Sequence, residues 1–300
     1  MIHISYASEK DTPQVKRLWT EAFGEEMPYT GWYFHNIYRP ERCLCLYEAD
    51  NIVSCLQYAP YKMQFLGKQI PVAYLVGVCT DPSYQHKGYA RHLLAEIDAD
   101  LAKQYRLLLL YTDIPAFYQP LGFCHCYRLN HMELPARFDP GQKKKWRSGT
   151  LSYQDIAEYD RIYTLMTADM DGFIRRTPAN WLNFLGDFLC DEGALFRKDD
   201  AYLLWCMDNG KPRVKELGYG NAAAIADGLS LAAHLAAARG YDSFIWDAPL
   251  SAPLPPGITG KIMPYVMAKL CGSREKAEET AQNTQDYLYR GKHLWINEMT

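Results

Sequence analysis

Apolar and polar positions along the first 135 residues fall into blocks of two different periods. Ile2–Tyr6 alternates and reads as a short strand. Residues 12–23 then carry Val15, Leu18, Trp19, Ala22 and Phe23 at helical spacing, with Asp11 or Thr12 as the cap and Pro13 in the first turn. An aromatic segment from Met27 to Tyr38 follows. The blocks 43–48, 52–62 and 72–80 read as strands, separated by turns at Asp50-Asn51 and Gly67-Lys68. Residues 91–104 place Leu93, Leu94, Ile97 and Leu101 on one helical stripe. Leu107 to Tyr111 is apolar throughout, as in a strand buried on both faces. A last strand region reaches Leu134.

The segment 135–149 is rich in Pro, Gly and Lys and reads as an exposed linker. Beyond it the layout of the first half recurs. Residues 201–207 and 212–217 form a hairpin about Asp208-Asn209-Gly210, and Asn-Gly is a strong hairpin signal. A helix over 222–239 leads to a strand over 243–246. A further strand is expected within 261–270, a polar helix over 273–287 and a short strand at 294–298. The division expected is therefore a first domain at 1–135, a linker at 136–149 and a second domain at 150–300.

Composition narrows the function classes. The 300 residues are 48% hydrophobic and 14% aromatic, enough for two folded cores. A net charge of −3 leaves no basic footprint for nucleic acid or an anionic membrane. No apolar stretch is long enough to span a bilayer, and residues 1–6 do not resemble a signal peptide. Nine cysteines fit a reducing cytoplasm. Cys43-Leu44-Cys45 and Cys124-His125-Cys126 lack the spacing usual for zinc and read as core positions, so no metal is expected.

The candidate chemistry lies between residues 76 and 123. A β-rich run ends at Thr80-Asp81-Pro82. A short loop, Gln85-His86-Lys87-Gly88-Tyr89-Ala90, then opens into the helix at Arg91. Free N–H groups and the positive end of a helix dipole make such a start an anion site, and Gly88 permits close backbone approach. The loop fits Q/R-x-x-G-x-G/A. After the all-apolar strand comes Phe117-Tyr118-Gln119-Pro120-Leu121-Gly122-Phe123, which matches FY-x-x-x-GF. Two motifs in this order, separated by a helix and a strand, resemble the pyrophosphate loop and post-strand signature of the GNAT superfamily of acyl-CoA N-acyltransferases. The layout of the whole chain is similar to two-domain bacterial members related to Eis-type enzymes, without their sterol-carrier-like domain.

The resemblance implies an α/β (α+β) GNAT fold with a mixed central sheet, followed by a second, degenerate GNAT-like domain with no CoA motif. It implies acetyl transfer from acetyl-CoA to an amine of a small molecule or peptide. Val78, Cys79 and Thr80 would pair with the pantetheine arm, and Gln85, His86, Lys87, Gly88, Tyr89 and Ala90 would hold the pyrophosphate. Tyr118 would protonate the departing thiolate. Many relatives use a glutamate on the strand before the loop as base, and the run Tyr74 to Val78 has none. Glu25, Glu26, Asp113, a water and the carboxylate of Thr300 are the alternatives. Thr300 enters because the C-terminus of Eis-type enzymes reaches the catalytic site. Tyr29 and Trp32 of the aromatic segment are candidates for holding a cationic amine. An acyl-CoA sensor without turnover and a tRNA-dependent aminoacyl transferase are the competing classes. The oligomeric state is not set by any of these features.

Overall fold

The computed structural model describes residues 2–24, 29–137 and 146–272. The expected helix at 273–287, the strand at 294–298, Glu25, Glu26 and Thr300 lie outside the described residues. In the first half the order is β1 (Ile2–Tyr6), α1 (Thr12–Phe23), α2 (Tyr29–Asn36), β2 (Cys43–Glu48), β3 (Asn51–Phe65), β4 (Lys68–Thr80), α3 (Tyr89–Leu101), β5 (Leu107–Leu110), α4 (Pro115–Tyr118), β6 (Cys124–His125) and β7 (Arg128–Pro135). The second half continues with β8 (Arg147–Ser148), α5 (Tyr153–Met166), β9 (Phe173–Ile174), α6 (Pro178–Cys190), β10 (Ala194–Lys198), β11 (Ala201–Asp208) and β12 (Lys211–Tyr219). It closes with α7 (Ala222–Ala237), β13 (Ser243–Pro249), β14 (Lys261–Pro264) and β15 (Met267–Leu270).

Two sheets share one plan. The first runs β1-β2-β3-β4-β5-β15-β6, with β9 pairing the far end of β3. The second runs β14-β7-β13-β12-β11-β10-β8. In each sheet one neighbouring pair is parallel, β4 with β5 and β12 with β13. In each, a helix joins those two strands, as a parallel crossover requires. The Asn209-Gly210 turn between β11 and β12 has both residues at positive φ, 49° and 74°, which suits the twist of a tight hairpin.

The halves exchange strands. The sequence reading assigns the strand ending at Leu134 to the first sheet. Instead β7 lies in the second, antiparallel to β13 from Ser243↔Pro135 to Pro249↔Leu129. The reason is packing, because Leu129, Met132 and Leu134 bury their side chains in the core of the second half. In return β15 pairs with β5, from Met267↔Leu110 to Leu270↔Leu107. The single strand expected at 261–270 therefore divides at Tyr265-Val266, and its two parts serve different sheets. At the crossover the Tyr265 N–H donates to the Tyr127 carbonyl at 2.8 Å, and the Tyr127 N–H donates to Val266 at 3.2 Å. Division of the chain at residue 135 thus does not divide the sheets.

Alternation gives the first sheet two buried faces. Leu56, Ala73, Leu75, Leu108 and Leu110 pack under α3 with Leu93, Leu94 and Ile97. On the other face, Cys43, Cys45, Cys55 and Cys79 pack under α1 and α2 with Val15, Leu18, Trp19 and Tyr33. In the second half a fully buried Arg176 pairs with Glu216 through two bonds of 2.6 and 2.9 Å. Its guanidinium lies 4.1–4.5 Å from the ring centroids of Tyr163, Trp181 and Phe184.

A fragment of residues 1–137 would leave β5 without β15 and expose an unpaired, all-leucine edge. We expect that fragment to aggregate, and the full chain to unfold in urea in a single transition followed by circular dichroism. A dispersed NMR spectrum from the soluble fragment would show that the exchange is dispensable.

Candidate active site

The site begins where two strands part. β4 and β5 pair only at Val72↔Leu107, Ala73↔Leu108 and Tyr74↔Leu109. From residue 75 to Thr80 no strand pairs that edge of β4 among the described residues. A bulge coincides with the parting. Cys55 faces Cys79 and Gln57 faces Val76, so three steps on β4 match two on β3. Gly77 takes φ +60° there, and a Cβ on it would come 2.1 Å from the Trp19 ring. The bulge turns Val78 onto the α3 face, while Val76 and Cys79 stay on the α1 face. Beyond it β4 is tied down again. Ser54 Oγ donates to the Cys79 carbonyl and lies 2.8 Å from Thr80 Oγ1.

The loop that follows ends in an open helix start. Asp81 accepts from the Ser83 N–H at 2.9 Å and closes a short turn over Pro82–Tyr84. His86 and Gly88 both have positive φ, 63° and 81°. Gly88 is the N-cap of α3, and no side chain caps the helix. Nothing lies within 4 Å of where its Cβ would be. First-turn N–H groups are therefore available to an anion. Gln85, His86 and Lys87 are exposed. Lys87 Nζ stands 4.5 Å from the Tyr84 ring centroid, and Tyr89 donates to Glu48 at 3.2 Å. The corresponding start of α7 is closed, because Asn221 Oδ1 accepts from the Ala224 N–H at 3.0 Å. The start of α3 thus leaves its first-turn N–H groups without a side-chain cap, whereas the start of α7 has one of them occupied by its own asparagine.

Tyr118 closes α4 and is buried between Phe117 and Phe123, at centroid distances of 4.9 and 5.8 Å. Gly122, at φ +90°, turns the chain so that Phe123 returns onto that ring. Burial, with a smaller contribution from Cys79, pushes the phenol up to about 12. The hydroxyl makes no hydrogen bond among the described residues. It is a protonated donor that a ligand can engage. The exchanged β15 backs this turn: Lys269 Cε lies 3.4 Å from the Gly122 Cβ position, and its Nζ pairs with Asp98 of α3 at 2.7 Å. Lys269 has no local signal in the sequence; only the strand exchange brings it here.

The other predicted residues are spread more widely. Trp32 packs on α6, with Cζ2 2.5 Å from where a Cβ on Gly186 would stand. Tyr29 is partly buried, 6.2 Å from the Tyr33 ring. Asp113 is exposed and accepts from the Tyr111 hydroxyl at 3.2 Å. The cysteines pack as pairs within the core, Cys43 with Cys45 and Cys55 with Cys79 at Sγ separations of 3.7 and 3.4 Å. A hydrogen bond with Cys55 and burial push the Cys79 thiol up, so it is no thiolate at neutral pH. No group of three or more metal-ligating side chains converges among the described residues.

A family model described as an acetyltransferase (GNAT) domain matches residues 3–126. Residues 3–126 are thus similar to a GNAT acetyltransferase domain. The parted strands, the uncapped helix start and Tyr118 all lie within that span. Similar solved structures include a probable N-acyltransferase from Enterococcus faecalis (TM-score 0.72, 18% identity, over 90% of this chain and 73% of that one). Eis1 from Mycobacterium abscessus gives 0.67 at 13% identity, over 90% and 74%. N-myristoyltransferase from Saccharomyces cerevisiae with bound myristoyl-CoA gives 0.61 at 12%, over 92% and 80%. At these identities the likeness is one of fold, and it extends through both halves. No curated protein matches the sequence. The matched domain class takes its acyl group from a CoA thioester, and the parted strands and open helix start lie in the part of this chain that matches it.

Gly77→Ala tests the bulge. A methyl group would meet the Trp19 ring at an unfavourable φ, so we expect a loss of about 2–4 kcal/mol in urea unfolding. An unchanged midpoint would mean that the bulge can relax.

Proposed function

We propose that the GNAT domain transfers an acetyl group from acetyl-CoA to a primary amine of a small molecule or peptide. One coincidence carries this reading: the free edge of β4 leads directly to the uncapped start of α3. An extended thioester arm can pair with an open strand edge as an added strand would. In this reading Val78, Cys79 and Thr80 offer backbone groups to the arm. The N–H groups of Gln85, His86, Lys87, Gly88, Tyr89 and Ala90 hold the diphosphate.

The amine nitrogen attacks the thioester carbonyl, and a backbone N–H near Val78 stabilises the oxyanion. The C–S bond then breaks, and the Tyr118 phenol gives its proton to the sulfur. The amine must lose a proton in exchange. By resemblance to Eis-type enzymes our candidate for receiving it, through water, is the carboxylate of Thr300. Tyr29 and Trp32 are proposed to flank the acceptor. Nine unbonded cysteines, most of them buried, support a cytoplasmic setting.

Gly88→Asp adds a side chain and a negative charge where the diphosphate would lie. We expect calorimetry to show no acetyl-CoA binding, and Gly88→Asn, neutral and tolerant of positive φ, to lose less. Normal binding by the Asp variant would refute the site. Tyr118→Phe should lower kcat by roughly 10²-fold at unchanged acetyl-CoA affinity. Because this phenol titrates at about 12, its proton is present at lower pH and lost only as pH rises through that value. The wild type should therefore show no loss of kcat from Tyr118 between pH 8 and 10. A fully active Phe variant with chemistry limiting would reduce Tyr118 to packing.

A further inference from the structure

One polar side chain beside the bulge is not explained by the fold. Gln57 of β3 is buried, 3% exposed, on a strand otherwise flanked by apolar neighbours. Its Oε1 accepts from the Tyr33 hydroxyl of α2 at 3.1 Å. That bond orients the amide and leaves Nε2, with two N–H donors, without a partner among the described residues. Buried donors are nearly always satisfied, and an exception calls for an explanation such as a functional contact, an ion, a water or strain.

The place is informative. Gln57 and Val76 are directly opposed across β3 and β4, so both side chains share a face. Tyr33 shows which face it is, the one covered by α1 and α2. Val76 immediately precedes the bulge, two residues beyond the last rung between β4 and β5. Tyr118 and the start of α3 belong to the opposite face. A molecule meeting the thioester from the α1 and α2 side therefore comes up beside the Gln57 amide.

An amide N–H donates and cannot take a proton, so Gln57 is no base. Nor can it bond the attacking nitrogen usefully, whose lone pair must stay free. Its complement is an oxygen. We propose that Gln57 positions the acceptor by donating to an oxygen atom near the reacting nitrogen, so that the substrate class is an oxygen-bearing amine. This rests on the N-acyltransferase reading above.

The test uses matched amines that differ in one oxygen, such as 2-methoxyethylamine with butylamine, and glycinamide with its methylene analogue. Each pair is measured on the full chain saturated with acetyl-CoA, for turnover by thiol release and for binding by NMR titration. The wild type should favour the oxygen-bearing member by about tenfold or more. Gln57→Met keeps length and volume but removes the donors. It should bring each pair within about twofold, through KM, at unchanged acetyl-CoA affinity and thermal stability within a few degrees.

Equal binding of both members by the wild type, including no binding by either, would overturn the proposal. So would a Met variant that keeps the preference, which would leave the amide to a buried water. A uniform fall in kcat for every amine would also overturn it, because Gln57 would then serve the oxyanion. If no amine is acetylated while acetyl-CoA binds, the enzymatic reading fails on this panel, and the binding titrations still decide the role of Gln57.

Discussion

Leu107–Leu110 has no polar face and needs a hydrogen-bonding partner on each edge. Its parallel partner β4 comes from the same half, but its antiparallel partner β15 comes from 157 or more residues later in the chain, as the register Leu110↔Met267 requires. The second sheet has the same need at β13 and takes β7 from the first half. Neither half can satisfy its central backbone groups alone, and an unpaired buried N–H or C=O is expensive. The site inherits this dependence. Lys269, on the borrowed strand, lies against the Gly122 turn that seats Tyr118 and is tied to Asp98 of α3. The Gly272 N–H donates to the same aspartate at 2.9 Å. The C-terminal part of α3 is thereby anchored by the second half, and its N-terminus is left open.

The two sheets make an internal comparison. Each has a single parallel pair with a short ladder, three rungs in the first and two in the second. They differ at the helix start. Gly88 leaves the first turn of α3 unsatisfied, whereas Asn221 closes that of α7 with its own side chain. A side-chain cap adds stability of about 1 kcal/mol and occupies the N–H groups an anion would need. The first sheet forgoes that stability and keeps the groups available. The second uses its interior for structure, with Glu216 buried between Arg176 and the Tyr202 hydroxyl, which donates to it at 2.6 Å. A buried pair of this kind depends on added bonds to its charges, here the two parallel contacts between the partners and the Tyr202 hydroxyl.

The bulge on β4 connects the faces of the first sheet. One extra residue shifts the alternation, so that Val78 turns to the α3 side and Cys79 returns to the α1 side. Gly77 makes this possible in two ways, through its positive φ and through the absence of a Cβ over Trp19. Its position inside a strand was a readable signal, since glycine there often marks a bulge. What it implied for Gln57 was not readable. That residue lies 20 positions earlier, and only the register of β3 against β4 sets it opposite Val76.

Local chemistry was legible in the sequence because it is written in contiguous residues. The limits of α1 and β2, the Asn209-Gly210 turn and the glycines at 88 and 122 follow from periodicity and from short motifs along the chain. The loop at 85–90 and the turn around Tyr118 are likewise local, and both motifs fall within the matched GNAT domain. Sheet membership was not legible. An alternating segment such as 128–135 specifies a strand with one buried face, and nothing in that pattern says which core will bury it. The answer depended on where Leu129, Met132 and Leu134 found complementary volume, and it proved to be the second core. The same limit applies to Trp32. That it lies against Gly186 of α6 was not legible in the sequence, because the contact joins segments more than 150 residues apart. The sequence by itself determined many of the elements, several of their turns and the open glycine loop at 85–90, because each rests on neighbours in the chain, whereas α2 and the helices α5 and α6 carried no reading of their own. Only the tertiary structure decided the strand exchange, the backing of Tyr118 by β15 and the isolation of the Gln57 amide, because each depends on packing between distant segments.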